Sequence, residues 1–443
     1  MRYARLVCVA LVAAAAAQGG CLRPPLPTAN SENAAAETYV RLVLALGQHD
    51  TNFVDAYYGP PEWRVDVARE KWDLDAINKR AAVLEVDLRR LPPVESAAPD
   101  ADMRRLRRTY LARQLGALRA RVTMLQGRRF PFDEESRELY DAVAPRNSEA
   151  SFQSVVDAIG VAVGVTAGGQ GDLPSRYAAF KQAFVIPPEK LNAVFTAAIA
   201  ECRRRTLAHI TLPENETFTV AYVKDKPWSA YNWYQGNYKS LIEVNTDLPV
   251  FIDRAIDLAC HEGYPGHHVY NALLEKHLVK DRGWQEFSVY PLFSPQSLIA
   301  EGTANYGIQV AFSDAERRAF ERDTLFPLAG IDPARADDYY DLMALAKQLS
   351  YAGNEAARGY LDGRMDAARA ADWLVRFAMN TPAQAAQRVK FFDTYRSYVI
   401  NYNLGEDLAK AYVERRAGDD PAKRWDVFAA LISSPRLPSA LKE

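Results

Sequence analysis

The chain has 443 residues, 49% of them hydrophobic, enough apolar mass for one substantial core or two packed lobes. Its 54 basic and 56 acidic side chains nearly balance, and no acidic or basic tail appears. The composition therefore offers no electrostatic footprint for a nucleic-acid partner or a charged membrane surface.

Residues 1–20 read as an export signal: Arg2 and Arg5 precede the apolar run LVCVALVAAAAA, which is short for a span, and small residues follow. Cys21 follows Gly19 and Gly20 as in a bacterial lipoprotein cleavage box, although Gln18 stands where an aliphatic residue is usual. Cys21 is thus a candidate lipid anchor and the one membrane attachment expected. An exported, periplasmic chain follows, held at the outer membrane where Cys21 is lipidated. Removing the signal deletes two arginines and no acid, leaving a net charge of about −4. Cys202 and Cys260 remain, able to pair in an oxidising compartment or to stay as buried thiols.

Beyond a linker at 21–33, a mostly α fold is expected, with an N-terminal helical subdomain over 34–210 and a second subdomain over 211–443 that carries the histidine cluster described below. Amphipathic runs lie near 34–50, 64–91, 100–127, 132–144, 149–164 and 188–210. The basic stretch MRRLRRTYLARQLGALRARV has its apolar residues at helical spacing, so its seven arginines read as a solvated helix face. TAGGQGDLP lacks the lysine and preceding strand of a phosphate loop and reads as a helix-to-helix connection. FTVAYVKDK and SAYNWYQGNYKSLIEVN are rich in β-branched and aromatic residues, so two or three strands are expected around 217–246. A peptide lying antiparallel to YKSLIEVN would gain main-chain hydrogen bonds. Helices resume at VFIDRAIDLACHE and, after an irregular stretch at 283–297, continue almost to the end.

HEGYPGHH, residues 261–268, holds three of the six histidines. A hydrolytic zinc site needs three protein ligands, an open position for water, and a carboxylate to take that water's proton. In H-E-x-x-H two histidines one turn apart reach a single ion. Here a straight helix would carry His267 roughly 9 Å and His268 roughly 10.5 Å along the axis from His261. Pro265 and Gly266 allow a bulge that brings a later histidine back. The smaller displacement favours His267 as the partner of His261, with His268 the alternative ligand and the unused one supporting the site. Glu262 is the candidate general base. Glu301, in SPQSLIAEGTANYG, is the candidate third ligand, and Asn305 four residues on can orient a ligand histidine. Asp257, four before His261, is a candidate for similar work.

These residues resemble a group of bacterial, often exported proteins that carry H-E-x-x-P-G-H-H followed by E-G-x-A-x-Y, here HEGYPGHH and EGTANY. That group is similar to the glutamate-ligand, gluzincin-type helical zinc metallopeptidases. The resemblance covers mainly 230–310 and more loosely YYGPPEW near 57–63; Thr303 departs from it, standing where tryptophan is expected. It implies one zinc ion per chain on His261, Glu301 and His267 or His268, with Glu262 as base and a peptide substrate. It also implies an oxyanion donor on a late helix, for which RSYVINYNLG offers Arg396, Tyr398 and Tyr402. Two other readings compete: a zinc-binding lipoprotein without catalysis, and a zinc hydrolase of non-peptide amides or esters.

Overall fold

The computed structural model describes residues 31–98, 100–167, 171–226 and 228–442. The export signal and Cys21 lie outside them. The described chain is mostly α with small sheets, as composition and periodicity suggest. Among these residues no helix is long and apolar enough to cross a membrane.

Ser31 caps α1 (Glu32–Leu46) by accepting from the Ala34 amide. β1 (Val54–Tyr57), α2 (Pro61–Glu70) and α3 (Leu74–Arg90) follow. The run expected over 64–91 is therefore two helices. Lys71 takes the left-handed conformation that ends α2, and Asp73 caps α3 through the Ala76 amide. α4 (Ala101–Leu125) contains the arginine-rich stretch, and it is no plain solvated face. Arg107 is buried against Glu286, Arg104 and Arg108 grip Glu32, Arg119 pairs with Glu85, and Arg121 with Asp50. Most of those guanidiniums are spent on the chain's own carboxylates. α5 (Phe132–Tyr140) and α6 (Glu149–Ala167) follow. The TAGGQGDLP stretch leads into α7 (Leu173–Gln182), a helix not anticipated, which Asp172 caps through the Ser175 amide. α8 (Leu191–Leu207) closes this half.

β2 (Thr217–Val223), β3 (Ala230–Gly236) and β4 (Lys239–Asn245) form a three-stranded sheet in the order β2-β4-β3. β4 runs parallel to β2 and antiparallel to β3. Both of its edges are occupied, which corrects the expectation that a peptide could pair with YKSLIEVN. The outer strand β3 offers the free edge instead. α9 (Asp253–Leu258) and α10 (His267–Leu274) flank the histidine cluster, and β5 (Val289–Pro291) pairs antiparallel with β1. There follow α11 (Pro295–Ala311), α12 (Asp314–Phe320), α13 (Phe326–Ala329), α14 (Ala336–Lys347), α15 (Ala352–Leu361), α16 (Ala367–Phe377) and α17 (Pro382–Tyr395). α18 (Ile400–Ala417) and α19 (Pro421–Ile432) end the chain's helices.

Two apolar cores lie on either side of α11. One receives its Ile299 and Tyr306, the other its Leu298. Fourteen of its 17 residues are buried, the pattern of a helix packed all round, which explains the small residues of SPQSLIAEGTANYG. α11 crosses α18 at Gly302 and Gly405. A Cβ on Gly302 would stand 2.3 Å from the Gly405 carbonyl carbon, and one on Gly405 2.7 Å from the Leu298 carbonyl oxygen. Only a glycine pair permits this approach.

Candidate metal centre

His261 lies in a π-helical turn, Ala259–Gly263, which continues α9 with a widened backbone. The chain turns extended at Tyr264, passes a cis Tyr264–Pro265 bond, and restarts as α10 at His267. The Gly266 amide donates to the Cys260 carbonyl at 2.9 Å. A Cβ on Gly266 would stand 1.9 Å from the His261 carbonyl oxygen, so the return path exists only with glycine there. The result sets His261 Nε2 and His267 Nε2 3.1 Å apart. Glu301, from α11, places Oε2 3.3 Å from the first and 3.7 Å from the second.

Which atoms carry protons follows from the neighbours. Asn305 Nδ2 donates to the Tyr402 carbonyl at 2.9 Å, which turns its Oδ1 toward His261 Nδ1, also at 2.9 Å. With Nδ1 as the donor, His261 Nε2 presents a lone pair to the same point that His267 and Glu301 face. Glu301 Oε2 is buried and has no hydrogen-bond partner, while Oε1 accepts from the Tyr398 hydroxyl at 2.7 Å. Three electron-rich atoms within 4.8 Å of one another, one of them an orphan, need a positive charge between them. The two-imidazole, one-carboxylate set suits zinc. The acid–base balance agrees. Burial draws His261 down, but Glu301 and Glu262 carry it up to about 9; burial raises Glu301, and the two histidines reverse this and hold it well below the usual carboxylate range. Without a metal, a proton takes the central place.

Glu262 is buried and lines the same cleft, its carbonyl fixed by Asn232 Nδ2 at 2.7 Å. Tyr402 also lines the cleft, and its hydroxyl has no hydrogen-bond partner among the described residues. Three expected residues do not join the cluster. His268 is one position beyond His267 on a helix, so it points away. It is fully buried, with Nε2 3.0 Å from Glu216 and Nδ1 2.9 Å from Ser240, tying α10 to the sheet rather than reaching the cluster. Asp257 pairs with Arg317 at 2.9 Å and Arg254 at 3.1 Å rather than with His261. Arg396 is drawn from the cleft by Glu135 at 2.7 Å.

The cleft has a volume of 1310 Å³, above the roughly 300–1,000 Å³ of a small-molecule site, and Ala230, Tyr231 and Asn232 of the β3 edge line it. Asp55 and Arg388 are among the cleft residues that the motifs did not point to. Asp55 is the extra residue of an irregularity in β1, where Val54 and Ala56 oppose the adjacent Pro291 and Tyr290. Such bulges re-aim side chains. Burial, then the charges of Glu301 and Glu262, push its carboxyl up to about 8. The other is Arg388 of α17. Neither belongs to a motif, and no local pattern marks them.

No protein-family model matches the chain, and no curated protein resembles it in sequence. Among solved structures it is similar to a provisionally assigned lipoprotein from Colwellia psychrerythraea, with 17% identity and a TM-score of 0.52 over 94% of this chain and 76% of that one. A second, from Shewanella oneidensis and of unknown function, is 12% identical over 89% and 82% of the two chains, with a TM-score of 0.45. At such identity the Colwellia structure speaks for a shared fold alone.

Proposed function

We propose that this chain is an exported zinc-dependent hydrolase that cleaves peptide bonds. The observation that carries the reading is the convergence of His261 Nε2, His267 Nε2 and the orphaned Glu301 Oε2 beside a cleft-facing Glu262. A zinc ion held by these three residues supplies a Lewis acid and lowers the pKa of its water to about 7. Glu262 takes the proton of the attacking water and returns it to the leaving amine. Asn305 holds His261 in the required tautomer, and Tyr398 holds Glu301. With the Tyr398 hydroxyl so committed, the free hydroxyl of Tyr402 is the better donor to the oxyanion. The β3 edge at Ala230–Asn232 is placed to hold an extended substrate by main-chain hydrogen bonds. A storage site has no use for Glu262, which neither joins the ligand set nor enters an ion pair among the described residues. Export rests on residues 1–20 and Cys21 and fits the provisional description of the Colwellia protein.

The test is metal analysis with a peptide-library cleavage assay. Glu262→Gln should keep one zinc per chain and lose about 10²–10⁴-fold in turnover. Undiminished cleavage by that variant would refute the assignment.

A further inference from the structure

The cations around the cleft are almost all neutralised. Arg254 and Arg317 hold Asp257, Arg318 holds Asp337 and Asp341, and Lys347 holds Glu406. Lys410 reaches Gln309 at 3.0 Å and Glu414 at 4.0 Å. Arg388 is the exception: among the described residues its guanidinium has neither a carboxylate within ion-pair distance nor a hydrogen-bond acceptor. Its neighbours are rings instead, with Cζ 4.6 Å from the centroid of Phe391, 5.8 Å from Phe392 and 6.0 Å from Tyr402. Rings can attract the flat face of a guanidinium but accept no hydrogen bond in its plane, so its N–H donors are left open to the cleft. Burial accordingly lowers its pKa, opposed only by Tyr402. A half-buried cation kept without a counter-charge is costly unless something else supplies one.

Arg388 also stands at a useful place. The Tyr402 ring is 5.8 Å from the Tyr398 ring, and Tyr398 bonds directly to Glu301. Tyr402 is therefore near both the guanidinium, 6.0 Å from its ring centroid, and, through Tyr398, the metal side of the cleft. A substrate with a carboxylate on Arg388 would thus share one cleft with Tyr402 and the metal ligands.

We infer that Arg388 is a specificity-determining residue that docks a carboxylate of the substrate, either a peptide's free C-terminus or an acidic side chain, through the planar fork of N–H donors that suits that group. This rests on the peptidase reading and narrows it to acidic or C-terminally free peptides.

The test uses the zinc-loaded full chain and N-acetylated pentapeptides in four matched forms: free acid or amide at the C-terminus, each with or without one glutamate. Hydrolysis is measured as kcat/KM, and binding separately on Glu262→Gln. Wild type should favour a carboxylate-bearing form by about 10- to 100-fold, the strength of a charged hydrogen-bond pair. Arg388→Met should bring that form down to its carboxylate-free match, and Arg388→Lys should restore part of the preference. Acid over amide identifies the C-terminus; glutamate over none identifies a side chain. Equal handling of all four forms by wild type, or an equal loss on all four in a normally melting Arg388→Met, would overturn the inference while leaving the hydrolase intact. Were no peptide cleaved, the peptidase reading would fall, and binding selectivity would decide on Arg388 alone.

Discussion

At the scale of single residues, the orientation of one amide decides the chemistry of the site. Asn305 is fixed by the Tyr402 carbonyl, and through that contact it selects which nitrogen of His261 is free. Asn305→Ala should therefore weaken zinc binding by about 10- to 100-fold with little change in melting temperature of the metal-free protein, as metal titration would measure. An unchanged affinity would mean that the ring is oriented by packing. A second residue reports through pH. Glu321 is fully buried, and burial, against the pull of Arg317, pushes its carboxyl up to about 7 from 4.5. Between about 4.5 and 7 the folded chain then holds a proton that the unfolded chain has released, so this group makes stability fall as pH rises through that window. Glu321→Gln should flatten that part of the profile; urea midpoints at pH 5 and pH 8 would show it.

At the scale of elements, the motifs announced themselves through spacing. HEGYPGHH carries its own helix breaker, and Glu301 and Asn305 are one turn apart, so the cluster of His261, His267 and Glu301 could be approached from the chain alone. The face of α10 separates His267 from His268: a rotation of one residue sends the latter to Glu216 and Ser240, partners far away in sequence. Sheet order was hidden for a similar reason, because alternation marks a strand but not its neighbours, and β4 proved to be the middle one. Asp55 and Arg388 were invisible, since nothing local distinguishes them from other charged residues. The crossing of α11 and α18 is a further element-level device. Gly405→Ala would thrust a methyl against the Leu298 carbonyl and the Gly302 backbone, neither of which can swing aside. A loss of about 1–3 kcal/mol in unfolding free energy is expected, with weaker zinc binding as Tyr398 and Tyr402 retreat. Full stability in that variant would show that the helices can part without cost.

At the scale of the molecule, the cleft is assembled from widely separated segments: Asp55 from the first strand, the histidines from the middle, Glu301 from the helix between the two cores, and Arg388 and Tyr402 from near the end. The cluster draws on both cores, so on the proposed zinc reading metal affinity should fall in any variant that loosens either one. Cys202 and Cys260 form a disulfide with Cα atoms 5.8 Å apart, joining α8 to the residue just before His261 across 58 positions of sequence. Replacing both cysteines by serine should cost about 4 kcal/mol on the loop-entropy account, read from denaturant unfolding. A change well under 1 kcal/mol would mean that packing alone holds the two helices.

That cross-link makes maturation a matter of timing. In a reducing cytoplasm the turn bearing His261 is held by packing and hydrogen bonds without a covalent tie, whereas after oxidation it is anchored to a neighbouring helix. A chain loaded with zinc before the bond closes should release it faster than one loaded afterwards. Dissociation rates of the reduced and oxidised forms would thus tell whether the centre is built to be filled only once the protein has left the compartment that made it.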